Sequence, residues 1–539
     1  MLSAALIMLS AITAPAADSV RPDTLRMREV TVHADRWLED ATGAGMPTVI
    51  MDAPMLQQLA PVTITSVLPL LPGMFVRDYG GVGGLKTVSM RGGSSAQSLV
   101  LLDGARLSSA QNGTFDLALL PARFVRELRV IRGGVSALYG ANAMTGVLDI
   151  GLGVPHAPSL RGFAGGGSFD EWRLGVGGAM AVENVRVGAE VEWLGTAGSF
   201  PFDTDQFGTT YEINRTNSDV RSVSGAARAE IGADVAVTAI GRSSQRGVPG
   251  AVVQGAVTNA RARLEDDDLI GIVSATVLRS DAGTLRVTGT ARTLDQRYRD
   301  PDATITGPDG IDVDYRQKDA MAALQFVGTA FGLVHSSRIE AGYADLRGNG
   351  IVSDEGSLVV RRSAGASTDW QWEGAFGAPL LLRAAVRADV FSDMGWAVSP
   401  LAAMRYEVAQ DVALRASWSY NFRPPSFNEL YFLNYGTRTL RPERSQTIDA
   451  GASIQPWRWL LVEMDVFHTS TTDLIVSVPV SPVVTSAQNV GRATSLGAEI
   501  LARGEWMDGR LHAQWAYTLQ RVTDATGRAG LDGTMIPYV

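Results

Sequence analysis

The stretch Arg123 to Ile150, RFVRELRVIRGGVSALYGANAMTGVLDI, decides how this chain is read. Apolar residues recur at Val125, Leu128, Val130 and Ile131 before a Gly133-Gly134 break. A small-residue turn at Tyr139-Gly140 then precedes a second β-prone run, Gly146 to Ile150. Upstream, Val88 to Gly92 and Leu99 to Gly104 repeat the grammar of an apolar strand stopped by a glycine, which turns where other residues would be strained. Three such strand-and-turn units predict one α+β domain.

The length of 539 residues allows several globular domains or one large barrel with an attachment. Composition favours the barrel. Glycine is 58 of 539, about one and a half times its usual share. No run beyond the first twenty residues is apolar enough for a membrane helix, but a spanning barrel needs apolar residues only at alternate positions. From about Arg161 such alternation repeats: Val185, Val187, Ala189, Val191 and Trp193 against Arg186, Gly188, Glu190 and Glu192, and likewise in Val223 to Ile231, Val412 to Tyr420 and Leu511 to Thr518. One such strand would fit a soluble sandwich. About seventeen, joined alternately by tight turns such as Glu183-Asn184 and long polar loops such as Gly195 to Asp219 or Arg297 to Asp319, predict a membrane β-barrel.

The chain resembles the TonB-dependent outer-membrane receptors. Its first part is similar to their plug in Leu71-Pro72-Gly73-Met74, in the VxxRG strand Val88 to Gly92, in the LLDG turn Leu101 to Gly104, and in Glu127 to Gly133 followed by Leu138-Tyr139-Gly140. Thr145 and Asp149 depart from the family's Gly and Asn. The barrel part carries Asn421 to Tyr431 and Leu440 to Ser445, similar to FRxPSxxELY and LxPERS, then Thr472 to Ile475 and Asn489 to Ala493. The resemblance implies a β-barrel with an N-terminal α+β plug inside its lumen, in the cell outer membrane of Gram-negative type. It divides the chain into a signal peptide (1–17), a periplasmic segment (18–45), a plug (46–150) and a barrel (161–539).

Leu2 to Ala17 is an apolar run too short to span, ending in Ala14-Pro15-Ala16, the pattern of a secretory signal peptide. No Lys or Arg precedes it, so either the true start lies upstream or the N-terminal amine supplies the charge. Glu29-Val30-Thr31-Val32-His33-Ala34, read alone, is an edge strand or a tail. The resemblance makes it a TonB box, captured by TonB as an added strand, with His33 a solvated box residue rather than a metal ligand. The family barrel has twenty-two strands; this chain stops at Ile536-Pro537-Tyr538-Val539, about five short. An unclosed barrel bares unpaired backbone to lipid, so the expectation is a truncated sequence with a gap between first and last strands.

Thr63 to Leu71 reads as a short helix ended by Pro72-Gly73. Arg77 to Gly84 and Ser108 to Phe115 are polar loops that the resemblance places at the plug apex. Tyr79, Gln111 and Asn112 there are substrate-contact candidates, against an ordinary exposed polar loop. Lys86 lacks the spacing of a phosphate cradle. The resemblance also sets plug arginines against wall carboxylates: Arg91 and Arg132 facing Glu499 and Asp449, the last standing where Glu is usual.

The sequence offers no catalytic constellation. Its five histidines form no ligand cluster, GxSxG and HExxH are missing, and no cysteine is present. Asp203 and Asp205, and Asp300, Asp302, Asp309, Asp312 and Asp314, are oxygen ligands of the kind Ca²⁺ takes, yet without calcium-loop spacing they read as solvated loops, so no cofactor is expected. A charge of −9 argues against nucleic acid. The function implied is TonB-dependent uptake of a ferric siderophore or cobalamin; a passive porin and a surface adhesin are the alternatives.

Overall fold

The computed structural model describes residues 45–536, with short gaps at 60, 62, 80–83, 108, 121, 207, 251, 254–255, 258–260, 304–308, 355, 482–483, 508–510 and 528–531, together with Ser10–Ala11. The expected signal peptide, apart from those two residues, and the Glu29 to Ala34 segment lie outside the described residues.

Among the described residues, seventeen long strands from Ser159–Gly167 to Leu511–Asp524 form an antiparallel meander. Ser10–Ala11 bridges Leu511 and His512 to make an eighteen-stranded sheet. The wall is not closed. Tight turns join strands at one end, as where Val182 pairs with Val185 and Ala330 with Leu333. The residues nearest that end carry an aromatic belt: Trp457 and Trp459 stack at 5.2 Å, and Trp459 meets Trp506 at 5.1 Å. Amphipathic rings suit the depth where lipid headgroups meet water.

Alternation sorts side chains as the pleat demands. In Glu443–Trp457, Ile448 is 51% exposed while its neighbour Asp449 is 3% exposed. Leu414 and Trp418 face outward while Ser417 and Ser419 are buried. The inner polar face, which the sequence alone would assign to water, is largely covered by protein.

What covers it is the plug. Its sheet runs Thr48–Met51, Val125–Arg132, Gly146–Leu152, Ser98–Leu102 and Ala105–Arg106, with the two central strands Gly146–Leu152 and Ser98–Leu102 parallel; Met74–Asp78 and Lys86–Met90 form a separate hairpin. Both faces of Gly146–Leu152 are buried, as expected of a strand that is apolar on either side of Asp149. Plug residues Val100, Leu117 and Leu128 share one apolar cluster with Ile240, Ile270 and Leu501 of the wall, and Leu99 and Ile131 share another with Leu401. The plug therefore sits inside the lumen.

Three local expectations need correction. Thr63 to Leu71 is two 3₁₀ turns, Ile64–Ser66 and Leu68–Leu70, because Pro69 has no N–H to donate and the β-branched Thr63, Ile64, Thr65 and Val67 disfavour a continuous α-helix. Arg297 to Asp319 is mostly strand: Gly283–Asp300 and Ile311–Ala330 continue as a hairpin in which Arg297 and Arg299 both donate to Asp312. The long loop from Gly195 to Asp219 holds its own hairpin, Phe200–Gln206 with Thr209–Arg215.

Because Ile448 faces outward at mid-strand, Ile448→Arg should cost about 2–4 kcal/mol of folding free energy in lipid vesicles, the range for a basic residue on a barrel's lipid face near the midplane. Urea titration of tryptophan fluorescence measures it, and an unchanged midpoint would mean the lipid face is misassigned.

Candidate functional site

Three motif turns, far apart in sequence, meet at one wall carboxylate. Glu499, on Val484–Trp506, accepts Arg91 Nε at 3.0 Å and Nη2 at 2.9 Å, and Arg132 Nη1 at 2.7 Å. Arg91 Nη1 also donates to Asp449, so the Asp that replaces the expected Glu still reaches its partner. Arg132 Nη2 lies 3.3 Å from Asp465. All five residues are almost fully buried.

Backbone shape makes this approach possible. Arg91 adopts φ 49, a conformation that a non-glycine residue takes only when its surroundings hold it there. Gly73 and Gly133 also have positive φ, and a Cβ on them would lie 2.2 Å from Glu499 Oε1 and 2.8 Å from Asp449 Oδ2. The glycines of the Pro-Gly and Arg-Gly motifs thus clear the space into which the wall carboxylates reach. Burial opposes the Arg91 charge, but the facing carboxylates outweigh it and raise its pKa. The Arg91 guanidinium also stacks 4.4 Å from the Phe467 ring.

Neighbouring bonds extend the attachment along the same wall. Gly73 N donates to Thr518 Oγ1 at 2.8 Å, Gln514 Nε2 to the Leu70 carbonyl at 2.8 Å, and Ser495 Oγ to the Arg91 carbonyl at 3.0 Å. A second buried cluster lies toward the long-loop end. Arg423 holds Glu443 and Glu429 through paired bonds of 2.8–3.0 Å, and Glu443 also accepts plug Gln97 Nε2 at 2.8 Å. Its members come from the FRxPSxxELY and LxPERS segments.

Sequence reasoning missed Asp465, Gln97 and the Arg423 cluster as parts of the plug's attachment. Asp465 carries a weak signal, since it sits opposite Glu499 in the strand register and on the inward alternation. Gln97 carries none.

The apex candidates separate. Tyr79 is 57% exposed, and Asn112 is exposed with its Oδ1 accepting from Thr114. Gln111 departs from the expected ligand-facing position. Its side chain is 4% exposed, because the helix Phe427–Tyr431 folds onto the apex: Phe427 N donates to Ala110 O and Asn428 N to Gln111 O, both at 2.9 Å. The acidic loop residues are also engaged. Asp302 holds Arg261, Asp312 holds Arg297 and Arg299, and Asp205 accepts from Thr210. Among the described residues no group of three or more His, Asp or Glu is arranged to hold a metal.

Residues 192–539 match the TonB-dependent receptor-like β-barrel family and residues 42–147 the TonB-dependent receptor plug domain. This chain belongs to the TonB-dependent receptors. The family is one of outer-membrane receptors rather than enzymes, and this receptor is accordingly an outer-membrane protein. The vitamin B12 transporter BtuB of Vibrio vulnificus is 34% identical over 121 residues, 22% of this chain; the match spans about a fifth (20%) of that relative's length. Among solved structures, the siderophore receptor PirA of Acinetobacter baumannii superposes with a TM-score of 0.67 at 14% identity, covering 92% of this receptor and 82% of that chain. The ferric yersiniabactin uptake receptor FyuA of Yersinia pestis gives 0.67 at 15%, over 92% and 82%. The copper transporter OprC gives 0.68 at 14%, over 89% and 81%. At such identities the likeness is one of fold.

Glu499→Ala would leave two buried guanidinium groups short of their main partner, so it should weaken plug docking by about 3–5 kcal/mol. Limited proteolysis across a urea series should show the plug cut at lower urea while the wall stays protected; equal protection of the plug would mean the cluster contributes little.

Proposed function

We propose that this receptor carries a scarce, large nutrient, a ferric siderophore or cobalamin, across the outer membrane by TonB-dependent active transport. The observation that carries the reading is the filled lumen: the plug is fixed to the wall by buried ion pairs, so cargo cannot cross by diffusion and work has to be supplied. The outer membrane has no nucleotide supply, and pulling from the periplasm is the available source. Under this reading residues 1–17 are an export signal, 18–45 a periplasmic segment, 46–150 the plug and 161–539 the barrel.

Glu29-Val30-Thr31-Val32-His33-Ala34 is then the segment that TonB captures as an added strand, where backbone hydrogen bonds give affinity and side chains are widely tolerated. Buried ion pairs suit a plug that has to be held and yet released, because a pair is strong only while both members are in place. Cargo meets the long-loop end, with Tyr79 and Asn112 as exposed apex contacts. Siderophores are favoured by the names of PirA and FyuA and cobalamin by that of BtuB. A passive porin would need an open lumen, and a surface adhesin would have no use for the Glu29 to Ala34 segment.

Deleting Glu29 to Ala34 should abolish uptake while cargo binding at the cell surface is retained, measured with a deletion strain supplied with defined ferric siderophores or cobalamin as sole sources. Uptake that persists, or that survives collapse of the inner-membrane proton gradient, would favour the porin; binding without uptake in the unaltered receptor would favour the adhesin.

A further inference from the structure

On the outer face of the wall, charge is handled in two ways. Across Gly283–Asp300 and Ile311–Ala330 the outward cations are paired, Arg297 and Arg299 with Asp312 and Arg316 with Asp295. Slightly further round they are not. Lys318, Arg347 and Arg362 stand exposed on three adjacent strands, Ile311–Ala330, Leu333–Gly348 and Leu358–Trp372. Among the described residues, none of these three side chains has an ion-pair or hydrogen-bond partner. Alternation fixes the face they occupy, because Gln317, Leu346 and Arg361, their neighbours in the chain, are buried inside the wall. Register gathers them: Lys318 lies opposite Asp345, Arg362 opposite Tyr343, and Arg347 follows Asp345 on the same face. Tyr343 is 41% exposed, and the charges of Arg362 and Arg347 reach its hydroxyl. Asp345 is the carboxylate set among them, and three cations outweigh it.

Toward the tight turns, the same face drops to small side chains. Ala322, Ala341 and Ala364 are register partners and all exposed, while Leu324, Ile339 and Val390 border the row. Trp396, opposite Val390, is 71% exposed at its edge. Further down, His335 and Trp370 stack at 3.9 Å near the tight-turn end. From Trp370 up to Arg362 the strand climbs about 20 Å once a barrel's tilt is allowed for, close to the height of an apolar band. The cations therefore stand where the outer hydrocarbon ends and headgroups begin.

We propose that this patch binds a phosphorylated glycolipid of the outer leaflet, its phosphates held by Lys318, Arg347 and Arg362 and an acyl chain lying over the alanine row. The site is outside the lumen and does not depend on which cargo is carried. Cations at the margin of hydrocarbon are costly unless an anion meets them. Guanidinium forks and an ammonium group are the side chains that phosphate oxygens take. The Tyr343 hydroxyl adds a donor and an acceptor for sugar hydroxyls. A row of alanines leaves a chain room to make close contact, where leucines would fill the space. Breadth decides the occupant. Three strands span about 10 Å, more than a single phosphate can bridge, so the spread of cations fits a headgroup carrying more than one.

Full-length receptor, delipidated in detergent, would be titrated with bis-phosphorylated lipid A and the retained lipid read by native mass spectrometry, with dephosphorylated lipid A and phosphatidylglycerol as comparisons. One bis-phosphorylated molecule should be held in preference to either comparison. Lys318→Gln combined with Arg362→Gln should weaken its binding about 30-fold, the worth of two basic contacts at a charged membrane surface. Arg297→Gln combined with Arg299→Gln removes the same charge from paired positions and should leave binding unchanged. Ala341→Phe keeps the charge but fills the row, and should weaken binding as well. Lipid A held as tightly by the 318/362 variant, or lost equally from both double variants, would overturn the site. Phosphatidylglycerol bound as tightly, with the same dependence on Lys318 and Arg362, would overturn the glycolipid as its occupant.

Discussion

A buried carboxylate facing two arginines is the constraint on which the arrangement depends. Glu499 takes three hydrogen bonds from Arg91 and Arg132 in a place closed to water, and Asp449 and Asp465 complete the balance of charge. Ions taken out of water are tolerated only with close partners. That requirement fixes the height and rotation of the plug more sharply than apolar contact could, since hydrophobic attraction has no direction.

The polarity of the attachments differs around the lumen. Toward Glu499 the plug presents arginines to wall acids. Toward Val220–Ile231 and Val235–Gly247 it presents acids to wall arginines, Asp103 to Arg228 and Asp116 to Arg242. Turning the plug within the lumen would set arginine against arginine. Orientation is therefore encoded in charge, while the shared cluster of Leu117, Ile240 and Ile270 supplies undirected adhesion.

The wall answers two solvents at once. Outward positions such as Ile448 and Leu519 meet lipid, and inward ones such as Asp449 and Thr518 meet the plug. In a soluble barrel the polar face would be hydrated; here a folded domain replaces the water. The inner hydroxyls and amides of Thr518, Gln514 and Ser495 bond to plug backbone, so the plug's irregular turns stay satisfied inside the membrane.

Period-two alternation made the barrel legible in the sequence, and the glycine-stopped strands of residues 88–150 made the plug legible, because both are written by neighbours a few residues apart. The arginines and two of the carboxylates of the main cluster could be named through their motifs. Gln97 and the covered side chain of Gln111 could not, because their neighbours are hundreds of residues away and depend on how the plug is turned. Arg297 to Asp319 reads as a loop in sequence although most of it is extended strand, since charge reads as solvation until the partner across the strand is known. The sequence by itself determined which residues alternate, turn and carry charge. Only the tertiary structure decided which charges meet, because that follows from packing one domain inside another.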